Sequence, residues 1–398
     1  MSAKPPVPLV IPAVLVTATA ASILSTDLYA PSLPHLPEYF ATDAGTVQLT
    51  MSLNLLGFAL AMLVYGPLVD RFGRRPVILA GMSGFAVASL ACTFAWSIES
   101  LIAARVVQGI AAASQSVVVL AVIRDLYDDA GAVRVMGAYG MAVALAPAVA
   151  PMAGGLIHVW LGWRVNFAVL TVIGAAVTAL LWRFLPETAG PGRRALSLWR
   201  LFTDYGGLLR RRRFVGYALV STFTFGGLFA FITAAPFVFI DRLGVRTDIY
   251  GVYYASMVLA YLLGSFIANR GAGRIAVERL LQMGMAVVAL GGAGMPVLLW
   301  AGWESPAGIS AVFALYALGM GVVFAVAPIR ALDAATGGHG GAAAMLGTLE
   351  MSGGSLGALA VGAFHDGTAW PLAMVVCAYG LGAPAAYVLA CRDRRGKD

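Results

Sequence analysis

Long runs of apolar residues alternate with short polar segments along almost the whole chain. A helix that crosses a membrane needs about 20 consecutive apolar residues, and these runs reach that length. They lack the alternation of polar and apolar residues that is typical of membrane β-barrel strands. The pattern therefore predicts an all-α membrane protein with twelve spans. We place the spans at residues 8–30, 46–69, 76–95, 99–123, 134–156, 164–183, 214–240, 248–269, 280–302, 306–330, 340–363 and 368–391.

The composition agrees with this pattern. Of the 398 residues, 60% are hydrophobic and 11% are charged, and the mean hydropathy is +0.85. A soluble domain carries about 25% charged residues. The composition therefore excludes an ordinary soluble protein.

One polar segment, residues 186–213, differs from the other connections in its length. It contains prolines and many arginines and no apolar run of span length. It divides the chain into an N-terminal half, residues 1–185, and a C-terminal half, residues 214–398, each with six spans. The spacing of apolar residues within the linker predicts a short amphipathic helix on the inner membrane surface. These apolar residues are Leu196, Leu198, Leu201 and Phe202.

The basic residues indicate how the spans are oriented. All but four of the 26 lysines and arginines fall in the N-terminus, in connections that follow an even-numbered span, or in the tail. Basic loops stay on the cytoplasmic side, so both termini are expected there. The net charge of +7 then reports membrane topology, and no nucleic-acid partner is predicted. The four exceptions are Arg105, Arg164, Arg242 and Arg246.

A charged turn at residues 66–76 separates the second and third spans with the pattern G-x-x-x-D-R-x-G-R-R. Its glycines permit a tight turn and close helix approach, and we expect Asp125 at the end of the fourth span to pair with Arg71. Ordinary solvation of the loop is the alternative. Residues 264–274 repeat the turn weakly at the matching place of the second half, which fits two repeated halves around a midplane site. The residues of this turn and its expected partner are Gly66, Asp70, Arg71, Gly73, Arg74, Arg75 and Asp125.

Three ionisable residues lie inside predicted spans, where a charge is costly and usually functional. For Asp27 the alternative is solvation near the outer surface, with Pro31 and Pro34 ending the helix. Arg105 is placed to form an ion pair with Asp27 across a cavity, and the alternative is that it snorkels to the headgroups. Glu350 falls near the bilayer centre, and only this placement supports a role for it.

The fifth span, residues 134–156, is rich in glycine and carries prolines four residues apart. Small residues let helices pack closely, and proline bends them. The residues that carry this pattern are Pro147, Pro151, Gly154 and Gly155.

These motifs resemble those of a known family. The turn at residues 66–76 resembles the signature loop of the major facilitator superfamily, which implies that its predicted residues and Asp125 form a cytoplasmic gate. The pattern D-x-Y-x-P-x-L-P from Asp27 to Pro34 and the pattern R-x-x-Q-G from Arg105 resemble the Bcr/CflA group of proton-coupled drug exporters. The fifth span is similar to an antiporter motif that ends in G-P-x-x-G-G, with Ala150 in place of a glycine.

The resemblance implies two six-helix halves around a central cavity, drug:proton antiport across a bacterial inner membrane, and a monomer. A buried carboxylate would bind a proton from outside, release it inside and compete with substrate. The residues assigned to proton coupling or the cavity are Asp27, Tyr29, Arg105, Gln108 and Glu350. Aromatic candidates for its lining, for which helix packing is the alternative, are Tyr29, Phe58, Tyr139, Phe225, Phe229 and Phe231.

The main alternative function is transport of a specific metabolite, such as an amino acid, by the same fold. An enzyme is not predicted, because the sequence lacks H-E-x-x-H, G-x-S-x-G and G-x-x-x-x-G-K-[ST]. The three cysteines and four histidines lack metal-ligand spacing, so neither a metal nor a cofactor is expected. The expected partners are a small-molecule substrate, protons and membrane lipids, with the proton gradient as the energy source.

Overall fold

A computed structural model describes residues 10–127, 129–189, 198–335 and 339–392. A 3₁₀ turn, Ala30–His35, follows the first helix, and a π turn, Phe237–Arg242, follows the ninth. The helices of these described residues are α1 (Val10–Asp27), α2 (Leu36–Phe40), α3 (Ala44–Phe72), α4 (Arg74–Thr93), α5 (Ile98–Leu126), α6 (Asp129–Leu161), α7 (Trp163–Phe184), α8 (Leu198–Leu209), α9 (Arg212–Pro236), α10 (Tyr250–Gly271), α11 (Val277–Trp300), α12 (Pro306–Ala334), α13 (His339–Ala363) and α14 (Trp370–Arg392).

Each of the twelve predicted spans coincides with a long helix. Within the described residues, eleven helical segments are long and apolar enough to cross a membrane. The eleventh predicted span, α13, is not among them, because its 25 residues include seven glycines and Glu350. It nevertheless packs against α3 and α9 as the other long helices pack against their neighbours. The prediction of an all-helical, multi-pass membrane protein is confirmed.

The first helix ends earlier than predicted. The α-helix stops at Asp27 rather than at residue 30, and the chain continues as the 3₁₀ turn and then as α2. Pro31 and Pro34 lie in the turn, and proline has no N–H to donate to the preceding turn of an α-helix. Asp27 therefore lies at a helix end, where backbone carbonyls lack helical partners.

The long helices form two six-helix halves. Helices α1 and α3–α7 pack with one another, and helices α9–α14 form the second set. The halves meet mainly where α3 packs on α13 and α6 packs on α10. The residue boundaries assigned to the halves stay a prediction. The linker contains the expected short helix, α8, whereas Leu196 lies outside the described residues.

The helical bundle has two ends that differ in the residues they carry. The first, which we call the motif end, contains the turn at Gly73 and the C-terminal ends of α5 and α7. The second, which we call the far end, contains the 3₁₀ turn and the loop between the π turn and α10. Consecutive long helices run in opposite directions between them.

Candidate functional site

A central cavity of about 340 Å³ lies between the two halves. Helices of both halves contribute to its wall, which is mainly apolar and aromatic. Asp27 is the only acidic residue among the described residues that line it, and no basic residue of that set does so. The polar lining residues besides Asp27 include Thr19, Ser22, Ser25, Thr26, Asn54, Gln115 and Ser116.

Asp27 reaches the cavity from the C-terminal end of α1. Only 3% of the Asp27 surface is exposed, and Thr26 Oγ1 donates a hydrogen bond to Asp27 Oδ1 over 3.1 Å. Among the described residues it forms no salt bridge. A carboxylate in this position, with one hydroxyl donor and no cation beside it, has little to hold it in the ionised form.

Arg105 does not form the predicted ion pair with Asp27. Its guanidinium donates instead to the Ser25 carbonyl at 2.8 Å and to the Thr50 carbonyl at 3.3 Å. The Ser25 carbonyl is free to accept because α1 ends two residues later. The residue is also fully buried, which rules out the snorkelling alternative. Arg105 therefore ties α5 to the end of α1 and to α3.

Gln108 and Tyr29 hold the Arg105 guanidinium in place. Gln108 accepts a hydrogen bond from Arg105 Nη1 and donates one to Ser89 Oγ over 2.7 Å. The guanidinium carbon lies 4.7 Å from the centre of the Tyr29 ring, within the range of a cation–π contact. None of the three lines the cavity. The R-x-x-Q pattern thus forms a buried polar network beside the cavity.

Four of the six predicted aromatic residues line the cavity, namely Phe58, Tyr139, Phe225 and Phe229. The prediction is wrong for Tyr29, which packs against Arg105. It is also wrong for Phe231, whose ring stacks on Phe313 with centroids 3.6 Å apart. The sequence reasoning missed Phe324, Tyr254 and Tyr261, which line the cavity as well.

Glu350 lies on α13 and is absent from the cavity lining, although the next residue, Met351, belongs to it. Successive residues of a helix point about 100° apart, so the two side chains face different neighbours. Glu350 Oε1 is buried, and no group among the described residues forms a hydrogen bond with it.

The motif end carries a charged network, but its pairing differs from the prediction. Asp125 Oδ2 lies 3.0 Å from Arg74 Nε, whereas Arg71 is exposed and lies over the Phe72 ring. The reason is that Arg74 begins α4, which packs on α5 and carries the side chain toward Asp125. Arg71 belongs to the last turn of α3.

Glu187 completes this network and was missed in the sequence. Its carboxylate accepts from the backbone N–H groups of Arg74 at 3.0 Å and Arg75 at 3.3 Å, which caps the N-terminus of α4. Partial burial raises the pKa of Glu187, but hydrogen bonds from the backbone N–H groups of Ala189, Arg74 and Arg75 outweigh it and hold the pKa below its usual value. No local pattern points to a cap 113 residues away.

The two glycines of the motif play different roles. Gly73 has φ 99° and ψ 168°, a region that is almost exclusive to glycine. A Cβ there would lie 2.4 Å from Glu187 Oε2. Gly66 lies inside α3, and no atom of the described part of the chain lies within 4 Å of its Cβ position, so the predicted close helix approach is not found at Gly66.

The fifth-span motif lies on α6 and joins three parts of the molecule. Pro147 lines the cavity, while Pro151 is buried one turn further along. A Cβ on Gly154 would lie 1.6 Å from the Leu28 carbonyl oxygen, and one on Gly155 would lie 2.3 Å from that of Thr247. The glycines therefore let α6 contact the end of α1 and the C-terminal half.

The far end contains a contact between halves that the sequence reasoning also missed. His35 Nε2 lies 3.1 Å from Thr247 Oγ1, and the His35 ring stacks on His158 with centroids 4.3 Å apart. Among the described residues no group of three or more potential metal ligands is found. His35 therefore joins the 3₁₀ turn of the N-terminal half to the loop that precedes α10 in the C-terminal half.

The second half has a charged network of its own at the motif end. Glu278 Oε1 lies 2.6 Å from Arg330 Nη2, and the hydroxyls of Tyr217 and Tyr387 each donate to Glu278 over 2.7 Å. The weak repeat at residues 264–274 does not form it, because Glu278 begins α11 and lies outside that segment.

Comparisons with known proteins agree with this architecture. A sequence profile of the Major Facilitator Superfamily matches residues 15–360. The chain is 31% identical over 359 residues to a chloramphenicol resistance protein of Pseudomonas aeruginosa, covering 89% of this chain and 84% of that relative. It is 32% identical over 267 residues to a bicyclomycin resistance protein homolog of Haemophilus influenzae, covering 67% of each. A solved D-xylose-proton symporter matches with a TM-score of 0.74 at 15% identity, covering 96% of each chain.

The family match, together with the cavity between two helical halves, identifies the protein as a transporter rather than an enzyme. The chain belongs to the major facilitator superfamily. The similarity to a bicyclomycin resistance homolog confirms the resemblance to the Bcr/CflA group.

Proposed function

We propose that this transporter exports small amphiphilic, drug-like molecules across a bacterial inner membrane in exchange for protons. The observation that carries the proposal is the placement of Asp27 as the one acid among the described residues of an apolar, aromatic cavity between the halves. Similarity to proteins named for chloramphenicol and bicyclomycin resistance supports drugs as the substrate class.

The wall of the cavity suits varied substrates of this kind. Its volume of about 340 Å³ lies within the range of pockets that hold drug-sized molecules. Aromatic rings supply large apolar contacts, and the flexible side chains of Met257, Met320 and Met351 adapt to different shapes. Most of the polar groups in the wall are hydroxyls, which rotate to serve as donor or acceptor and so suit more than one ligand.

Exchange follows if Asp27 binds either a proton or a substrate at one time. Protonated Asp27 is neutral and stable in the apolar wall, whereas the ionised form needs a compensating group. A cationic or polar substrate supplies that group and favours loss of the proton. Proton binding and substrate binding shift the same equilibrium in opposite directions. Inward movement of protons down their gradient therefore drives export of the substrate.

Alternating access requires the two ends of the cavity to open in turn. The basic motif end faces the cytoplasm by the positive-inside rule, with both termini on that side. We assign to the cytoplasmic gate the surface of the N-terminal half that the Arg74–Asp125 pair and the Glu187 cap stabilise by holding α4, α5 and the end of α7 together. At the far end, the contact between His35 and Thr247 has to break for release outside. The protein acts as a monomer in this scheme.

The experiment uses purified protein in proteoliposomes with an imposed pH gradient and chloramphenicol as an uncharged probe. We expect Asp27→Asn to abolish transport driven by the gradient, because asparagine cannot titrate. Exchange of labelled for unlabelled chloramphenicol should persist, because it needs the cavity and not the proton. Glu99→Gln, which removes an exposed carboxylate at the start of α5, is the matched control and should transport normally.

Transport by Asp27→Asn that still responds to the gradient would remove Asp27 from the mechanism. A panel that includes amino acids extends the test to substrate class. Selective transport of one metabolite, with no movement of chloramphenicol or of lipophilic cations, would contradict export of drugs.

A further inference from the structure

Three tyrosines of α10 share one face of the helix. Tyr250, Tyr254 and Tyr261 are spaced by four and seven residues, which places them in one stripe. Tyr254 and Tyr261 line the central cavity. The hydroxyls of Tyr250 and Tyr254 are buried and have no hydrogen-bond partner among the described residues. The rings of Tyr250 and Tyr254 pack in the core, whereas their two hydroxyls have no hydrogen-bonding role among the described residues.

This stripe runs between Asp27, which is buried, and Glu350, a half-buried residue whose Oε1 atom is buried. Asp27, in the N-terminal half, interacts electrostatically with Tyr250 and Tyr254. Glu350, in the C-terminal half, interacts with Tyr261. At about 1.5 Å per residue, the stripe extends over roughly 16 Å. One helix face therefore connects the proposed proton site with a second acid nearer the motif end.

Close packing of α13 on α9 places Glu350 opposite a hydroxyl. A Cβ on Gly353 would lie 2.5 Å from the Thr222 carbonyl oxygen, so the two backbones nearly touch. Glu350 precedes this contact on α13 by one turn, and Ser221 precedes it on α9 by one residue. The Ser221 hydroxyl faces the carboxyl group and is fully buried without a hydrogen-bond partner in the described part of the chain.

No charge compensates Glu350 in this arrangement of the described residues. Besides Ser221 on α9 and Tyr261 on α10, the polar groups near this part of α13 contact its backbone or other residues. Tyr379 of α14 donates to the Gly353 carbonyl, and Ser355 donates to the Ser52 carbonyl of α3. Within the same described ranges, Glu350 forms no salt bridge.

A carboxyl group with these neighbours is suited to gain and lose a proton. An isolated buried carboxylate is costly, which favours the neutral acid. Ser221 can accept a hydrogen bond from the neutral acid and donate one to the carboxylate, because a hydroxyl rotates to serve either role. The site therefore offers a partner to both protonation states.

We propose that Glu350 is a second proton-binding site of the transporter, beside the end of the tyrosine face of α10 that lies nearer the motif end. The neutral –COOH group transfers its proton to water that enters from the motif end, which leaves a carboxylate and a hydronium ion. The carboxylate then accepts a hydrogen bond from Ser221. This step rests on the proposed antiport, and it makes the exchange two protons for each substrate rather than one.

The first test does not depend on transport. Infrared difference spectra of purified protein between high and low pH report the carbonyl stretch of protonated carboxyl groups. We expect one such band to disappear in Glu350→Gln and to shift in Ser221→Ala, which changes the hydrogen bond and keeps the acid. Glu99→Gln should retain the band. A band that Glu350→Gln leaves intact, or that sodium ions remove at constant pH, overturns the proposal.

The second test counts protons released when chloramphenicol binds to the purified protein. We expect two protons from the wild type and one from Glu350→Gln or from Asp27→Asn. Release of two protons by Glu350→Gln overturns the second site. A titrating Glu350 band combined with no proton release from the wild type would contradict the antiport and still support proton binding at Glu350. If Glu350→Gln fails to fold, the shift in Ser221→Ala decides the question.

Discussion

Replacing Gly73 by alanine tests how the motif end is built. At φ 99° and ψ 168°, any residue with a Cβ carries a backbone cost of about 1–3 kcal/mol. The added Cβ would also lie 2.4 Å from Glu187 Oε2, so the carboxylate has to leave the N-terminus of α4. Loss of a helix cap costs a further ~0.5–2 kcal/mol. We therefore expect a total destabilisation of about 1.5–5 kcal/mol.

Gly66→Ala is the matched control in the same motif. Gly66 lies within α3, and nothing approaches its Cβ position within 4 Å. Alanine favours a helix over glycine by about 1 kcal/mol. This variant should be as stable as the wild type or slightly more stable.

The assay is reversible unfolding in mixed micelles, followed by tryptophan fluorescence, with the free energy of unfolding as the result. A double variant with Glu187→Ala separates the two costs, because removal of the carboxylate relieves the clash and leaves only the backbone cost. In the Glu187→Ala background, Gly73→Ala should therefore lower the free energy of unfolding by less than it does in the wild type. The difference between the two values is the contribution of the cap. An equal cost with and without Glu187, or equal effects of Gly66→Ala and Gly73→Ala, would refute the reasoning.

Two further predictions concern the other networks. We expect Arg105→Lys to lower the free energy of unfolding by about 1–3 kcal/mol, because an ammonium group cannot reach the Ser25 carbonyl and Gln108 together. A variant as stable as the wild type in the same micelles would contradict this. Arg74→Asp should shift spin-label distances across the motif end and reduce transport. The double variant with Asp125→Arg exchanges the two charges and should restore part of the wild-type distances and part of the transport. An exchanged pair no better than Arg74→Asp would remove the pair from the gate.

The apolar runs by themselves determined the helices and their number. Burying about 20 apolar residues in hydrocarbon leaves the backbone no stable alternative to a helix in these runs. The position of the linker and the turn at residues 66–76 pointed to two halves and to the superfamily. Asp27 could be singled out because an acid within an apolar run is rare unless it has a use. These are properties of a chain segment in a solvent, and neighbours do not alter them.

Only the tertiary structure decided which groups meet. The sequence placed Asp27 and Arg105 at compatible depths, yet the guanidinium binds the Ser25 carbonyl because α1 ends at Asp27. It placed Asp125 beside a turn with three arginines, and the packing of α4 on α5 selected Arg74. The physical reason is that pairing depends on side-chain direction and backbone ends to within an ångström, and depth along a span specifies neither.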